Sequence, residues 1–438
     1  MVGIAICVIA PRAWSQETPP PEARDQPPAP TTVQAYPLEL LGLLAPPAQL
    51  RPVTLTPSIA FSEEYNDNLF LDNRNRQWDL ITGFSPAVTL FVNEPSYRFS
   101  GGYTLTGELY DRQTRLNNAV GRQNFLFNGS LDATPRLRLT VFESFALDRN
   151  ANRVSAQNFS SGVSTQQGSW SNTFTPGMTW QMTPRTALSL SASYNLLRFE
   201  GASSGSDITN SDITNSDTYG MQSYLSHVLT PRLTGTVGYY FTYLEFHVTG
   251  GAASATQTQA PGASRTHIPT VGLSYRLTPT LTVSANGGPA ITEVGGQTFL
   301  SPAGNASLVQ VLKIGSASVQ YNRSVSVAGG FGGTTDSQVY SGALTLPTWQ
   351  RGLVLAFSPA YSVAESVSRQ QTQTGRVDVK ALLISLGVTY QFARFASVFG
   401  GYTFFQQRSG GTSSSDLVDA DQSRVRFGLQ FGYPINFD

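Results

Sequence analysis

The chain has a single cysteine, three histidines and little charge: of 438 residues only 13% are Asp, Glu, Lys or Arg, and the two signs cancel. A lone Cys7 excludes a disulfide framework and a cysteine metal site. A net charge of zero leaves no basic field to collect phosphates, which argues against a nucleic-acid partner. Beyond the N-terminus no run reaches 18 apolar residues, so transmembrane helices are excluded as well. His227, His247 and His267 are the only histidines; His247 and His267 flank one predicted loop but have no placed third ligand, so they read as rim residues and not as a zinc site. Catalytic patterns are equally scarce. No G-x-S-x-G elbow occurs, and Gly329-Gly330-Phe331-Gly332-Gly333 precedes no helix and fails as a phosphate cradle. The sequence predicts no enzyme, no cofactor and no resident metal.

What the chain has instead is period-two alternation. From Leu233 to Tyr243 one face reads Leu233, Gly235, Val237, Tyr239, Phe241, Tyr243 and the other Thr234, Thr236, Gly238, Tyr240, Thr242. That pattern fits a strand with one oily face and one face of small polar residues. It follows a turn that recurs. Thr134-Pro135-Arg136, Thr183-Pro184-Arg185, Thr230-Pro231-Arg232 and Thr278-Pro279-Thr280 space their prolines 49, 47 and 48 residues apart, and each opens into an alternating segment. A fixed period of that size marks a repeated supersecondary unit. Proline presets φ for a turn and lacks a ladder donor, so each motif marks a hairpin tip. With about 9–11 residues per membrane-crossing strand, each period holds two strands, a tight turn and a long loop at the other end. Short turns on one side and long loops on the other are the asymmetry of a bacterial outer-membrane barrel.

The alternation runs from Val53 almost to the C-terminus and yields 18 candidate strands, an even number that suits antiparallel closure. The hairpin around Lys313 to Ser316 is the weakest link; read as one kinked strand beside a second misreading, the count falls to 16. The expected fold is therefore an all-β, up-and-down transmembrane barrel over residues 53–438. Residues 1–15 resemble a secretory signal without its basic start, and 16–52 form a proline-rich periplasmic linker. Polar outer loops are expected at Asn66 to Trp78, Asp148 to Gly168, Val294 to Gly304 and six further places, one of which carries the tandem Ser206-Asp207-Ile208-Thr209-Asn210 and Ser211-Asp212-Ile213-Thr214-Asn215. Glu143 falls on an apolar face, which calls for a bulge or a shallower depth there.

Small Ser, Thr and Gly side chains cannot fill so wide a lumen, so water or an inserted segment must occupy it. Leu38 to Leu44 and the Asp148 to Gly168 loop are the candidate plugs. Arg98, Glu108, Arg138, Arg424 and Arg426 fall on polar faces and are the candidate lumen residues; both signs are present, so they name no solute. Acidic loop ends at Glu63 to Asn68 and Asp416 to Asp421 have oxygen ligands of the kind divalent cations favour, but plain solvated loop is the simpler reading.

The opening Thr56 to Leu71, then Phe84-Ser85-Pro86-Ala87-Val88-Thr89-Leu90, then the repeated Leu-Thr-Pro-Arg turns resemble the β-barrel porin-2 family over roughly Val53 to the C-terminus. The resemblance implies a barrel in the outer membrane of a Gram-negative bacterium, with some relatives associated with exopolysaccharide or protein-sorting loci, and it carries over no catalytic residue. Such barrels usually end on an aromatic residue, whereas here Asp438 follows Phe437. Three expectations stand side by side: a porin-like channel for small hydrophilic solutes, a non-conducting structural or secretion-associated barrel of an envelope polysaccharide system, and a soluble β-rich surface protein. The expected partners are outer-membrane lipid and lipopolysaccharide, the barrel-assembly machinery and envelope polysaccharide export components.

Overall fold

The computed structural model describes residues 52–149, 168–199, 214–248, 263–327, 334–348, 350–367, 378–409 and 419–437. The signal-like segment, the proline-rich linker, and both candidate plugs (for the Asp148 to Gly168 loop, residues 150–167) lie outside them. The first nine strands are β1 (Val53–Asn66), β2 (Asp79–Asn93), β3 (Tyr97–Tyr110), β4 (Asn118–Thr134), β5 (Leu137–Asp148), β6 (Ser169–Thr183), β7 (Thr186–Phe199), β8 (Thr214–Thr230) and β9 (Leu233–Val248). They are followed by β10 (Ser264–Thr278), β11 (Leu281–Val294), β12 (Gln297–Val311), β13 (Ser316–Val327), β14 (Thr334–Pro347), β15 (Leu353–Ser366), β16 (Asp378–Ala393), β17 (Ala396–Ser409) and β18 (Ala420–Gly432). Each pairs antiparallel with the next, and β1 pairs with both β2 and β18, so the sheet closes on itself. A short β19 (Ile435–Phe437) resumes the line of β18 and pairs with Val53 to Leu55 at the foot of β1. Closure at 18 strands removes every long edge and leaves room for an aqueous channel.

Alternation sorts the side chains as the sequence predicts. Every one of the 18 main strands places at least one large apolar residue on the outer surface, among them Val237 at 61% exposed, Val271 at 67% and Leu300 at 74%. Aromatics ring the outer side in cross-strand ladders: Tyr194, Tyr219 and Tyr243 stack at 5.0 and 6.1 Å, and Tyr321, Tyr340 and Tyr361 at 4.9 and 6.3 Å. The opposite faces meet through hydroxyls. Ser284 and Ser307 lie 2.7 Å apart, Ser85 and Thr106 2.9 Å, Thr266 and Thr292 3.1 Å, and Thr179 and Ser189 3.2 Å. These pairs satisfy the small polar groups within the wall itself.

The recurring turn works by a division of labour among its three residues. Threonine Oγ1 accepts from the amide two residues on, at 3.3 Å, in Thr134, Thr183, Thr230 and Thr278 alike. Proline, with no N–H, needs no partner at the tip. The carbonyl of the third residue then accepts from the neighbouring hairpin: Gln181 N donates to Arg136 O at 2.7 Å, Val228 N to Arg185 O at 2.8 Å and Arg276 N to Arg232 O at 2.9 Å. Only the arginine side chain is left over, and it is exposed at all three turns.

The Lys313 hairpin exists, which sets aside the 16-strand count: β12 pairs with β13, and Leu312 N donates to Gly315 O at 3.0 Å. Gly315 has φ +99°, and a Cβ there would sit 1.9 Å from Thr345 O. Gly315→Ala is therefore expected to cost about 1–3 kcal/mol, whereas Gly295→Ala, whose Cβ meets nothing within 4 Å, should cost less. Urea unfolding in lipid vesicles compares them; equal costs would remove the clash as the cause.

Three local expectations change. The outer loop placed at Val294 to Gly304 is a two-residue turn: Gly295 and Gly296 take φ +56° and +77°, and β12 starts at Gln297 where Asn305 was expected. Two adjacent positive-φ glycines suit the tight turn that matches strand twist, and Pro302 stands opposite Pro289 with the register unbroken. Similarly β4 begins at Asn118, not Arg122. Glu143 needs no bulge. Its register with Phe127 and Phe174 is continuous, it stays on the outward face, and Asn172 Nδ2 donates to its Oε1 at 3.5 Å. A polar neighbour, not a register shift, is what accommodates it.

Candidate functional site

The stretch joining β1 to β2 folds against the inner wall. It begins with a side-chain clamp: Asn68 N donates to Asn66 Oδ1 at 3.0 Å and Asp72 N to Asn68 Oδ1 at 3.0 Å, so two asparagines do the work of a backbone turn. Asn68 then ties the loop to β18, donating from Nδ2 to Asp421 O at 2.8 Å and accepting at its own carbonyl from Gln422 Nε2 at 2.9 Å. Held there, the loop sends two leucines in opposite directions. Leu69, fully buried, packs on Ile81 of β2 and Tyr110 of β3, with Phe70 and Leu116 beside it. Leu71 packs on Leu383 and Ala381 of β16, Phe405 of β17 and Ala420 of β18. Every one of those strand residues belongs to an inward-facing set, so this loop covers the inner wall across six adjacent strands, from β16 round to β3. Leu71 has φ +54°, a conformation that non-glycine residues adopt at a cost. Burying its side chain offsets that strain.

One further contact ties the loop to the rim, and an ion pair holds its anchor in place. Asp421 N donates to Asn73 Oδ1 at 2.9 Å, and the Asp421 carboxylate takes a bidentate pair from Arg408, at 2.7 and 3.0 Å. Arg408 holds the Asp421 carboxyl below the usual carboxylate range, mainly through that hydrogen bond; Asp421 stands at the loop end of β18, beyond the apolar belt that begins at Val425. On the other flank the β3–β4 connection carries a short 3-10 turn, η1 (Thr114–Leu116). Gln113 donates to Gln77 at 2.8 Å, the amides of Arg112 and Gln113 donate to the Asp79 carboxylate at 2.9 and 2.8 Å, and Arg112 lies over the Trp78 ring at 4.2 Å. The two loops therefore brace each other.

Beneath this cover lies a charged sector. Glu108 pairs with Arg122 at 2.8 Å and accepts from Tyr110 Oη at 2.7 Å. Arg424 stands 4.0 Å from Glu64. Arg426 donates to Ser62 Oγ at 3.1 Å and lies over the Phe399 ring at 5.5 Å. Near the short-turn end Arg138 grips Asp132 at 2.6 and 3.3 Å, and Arg98, on the same face of β3 as Glu108, is exposed. Of the sequence candidates, Arg424 and Arg426 come together around Glu64 and Ser62, Glu108 lies across the β1–β2–β3 wall from them, and Arg98 and Arg138 sit at the opposite end. From β6 to β17 the inward face is Ser, Thr, Gly, Ala, Asn and Gln with apolar residues between, and Arg276 is its one charge among the described residues.

Sequence reading treats Asn66 to Trp78 as a polar outer loop and Glu64 as part of an acidic loop end, but does not place either, or Arg122, against the inner wall. A signal was present: Leu69-Phe70-Leu71 is an apolar triplet inside an otherwise polar connection. The histidines do not meet. His247 Nε2 is 2.8 Å from Asp217 Oδ2, His267 stacks near Phe241 at 5.0 Å, and His227 Nδ1 is 2.9 Å from Thr186 Oγ1.

The sequence matches no protein-family model and no curated protein. Among solved structures the chain is similar to OpdO of Pseudomonas aeruginosa, at 12% identity and a TM-score of 0.42 over 88% of this chain and 98% of that one. It is also similar to the FrpB iron transporter of Neisseria meningitidis (F5-1 variant), at 10% identity and 0.46 over 88% and 83%. A third is the siderophore receptor PirA of Pseudomonas aeruginosa, at 9% and 0.40 over 86% and 80%.

Proposed function

We propose that this chain is an outer-membrane channel through which small hydrophilic solutes pass, narrowed at its outer end by the β1–β2 loop. The observation that carries the reading is the contrast between the two faces of one closed sheet. An outer surface with exposed apolar residues on every strand far exceeds the apolar patch of a soluble protein, and it suits a bilayer, with tyrosine ladders at the level of the headgroups. Outer-membrane lipid and lipopolysaccharide are then the partners of that surface. The inner face is lined by hydroxyls and amides, several of them paired across the strands, a surface that water wets and that binds no solute tightly. Conduction requires entry without a deep trap, and such a wall provides it.

The two inward leucines favour a gated or size-limited pore over a solid plug, because the described part of the loop covers one sector of the wall. Purified protein refolded into planar bilayers should give discrete current steps. Absence of current from protein that shows the heat-modifiable mobility of a folded barrel would overturn the channel reading and leave a structural barrel in its place.

A further inference from the structure

The recurring turn does something that hairpin geometry does not require. Eight short turns join the strands at the end opposite the β1–β2 loop, and six of them carry one cation each: Arg136, Arg185, Arg232, Lys313, Arg351 and Arg394. All six are exposed, and none forms an ion pair among the described residues. The turn mechanism uses the backbone of the third residue, its amide on threonine and its carbonyl on the next hairpin. Thr280 fills that place in one turn without any charge, so geometry alone does not call for arginine. Acid is scarce at this end. Glu94 lies in the remaining charged turn, and Asp132 is already taken by Arg138.

We propose that the short-turn mouth is a ring of fixed positive charge that makes the channel select anions, drawing small carboxylates and phosphates and rejecting small cations. The inference rests on the channel reading above and adds its charge preference. Neighbouring short turns are two strands apart, about 10 Å, which is about one Debye length at 0.1 M salt. The screening clouds of cations on adjacent turns therefore overlap, so Arg136, Arg185 and Arg232 act as one band along the rim and Lys313, Arg351 and Arg394 as another, with the Thr280 turn between them on one side and the Glu94 turn and the β18–β1 closure on the other. A low-dielectric wall focuses such a field into the mouth. Nothing beyond the mouth cancels it: the inward face from β6 to β17 has Arg276 as its one charge among the described residues, and the charged sector pairs its own signs at Glu108 with Arg122 and at Glu64 with Arg424. Rings of Arg or Lys are the general means by which pores select anions.

The test is the reversal potential of the full-length channel in planar bilayers under a KCl gradient centred near 0.1 M. Chloride should be severalfold more permeant than potassium. Replacing the six cations together with Gln should bring the ratio close to unity, while a set with the five arginines changed to Lys should keep the wild-type value. Since the Debye length falls to about 3 Å at 1 M salt, the wild-type preference should fade there. A conducting wild type that is unselective or prefers potassium overturns the proposal, and so does a Gln variant with undiminished anion preference. If that variant keeps its selectivity but loses retention on an immobilised polyanion, the ring belongs to docking an anionic envelope polymer instead. Absence of any current would defeat the channel reading and this inference with it, an outcome distinct from an open channel of the wrong preference.

Discussion

Exchanging Leu69 for Ser and Leu71 for Asn is expected to release the β1–β2 loop from the wall and to give larger single-channel current steps than the unaltered protein. Each leucine side chain is held by apolar contacts, worth about 1.5–3 kcal/mol when a side chain of that size is fully buried. Leu71 sits in the left-handed region, where asparagine is tolerated. The second exchange therefore removes the anchor without adding backbone strain. The rim contacts of Asn68 with Asp421 and the brace of Gln77 on Gln113 are untouched, so the segment between them should lift from the wall without unfolding the barrel. Protease cleavage between Asp72 and Trp78 reports whether the loop has left the wall. A loop that is cut freely while the current steps stay unchanged would show that it does not limit the pore.

Arg at Val237 should destabilise the barrel by about 2–4 kcal/mol, the cost of a cation near the bilayer midplane, whereas Arg at Thr236 should be tolerated. The two positions are adjacent in β9 and differ only in the side of the wall they face. Val237 is 61% exposed on the apolar surface, and Thr236 points to the same side as Thr234 and Tyr240. Unfolding in vesicles measures both. Conductance adds an independent reading, because an arginine at 236 intrudes on the lumen and one at 237 does not. Equal stability losses, or a change of conductance from the 237 variant alone, would invert the assignment of faces.

Much of the barrel was legible from residues alone. A strand buried on one side and wetted on the other must alternate with period two, and the Thr-Pro-Arg spacing counts hairpins because only the turn residues break that period. Strand number and the two kinds of connection follow from local pattern. The misplaced start of β12 marks the limit of that logic. Two glycines signal a turn, but only their joint positive φ makes it a two-residue one, and Pro302 looked like loop because its tolerance depends on the neighbour it faces.

The site needed the third dimension. Leu69 and Leu71 are two residues apart in a polar connection, and nothing local says that one meets Tyr110 and the other Phe405, partners some forty and over three hundred residues away in sequence. Closure of β1 onto β18 creates that juxtaposition. The same closure brings Glu64 to Arg424 and sets Asp421 over Asn73, pairings that join the two ends of the chain. The sequence by itself therefore determined which face of each strand is oily and where the chain turns, since those depend on neighbours along the chain. Only the tertiary structure decided which loop enters the lumen and which charges meet, since those depend on which strands become neighbours when the sheet closes.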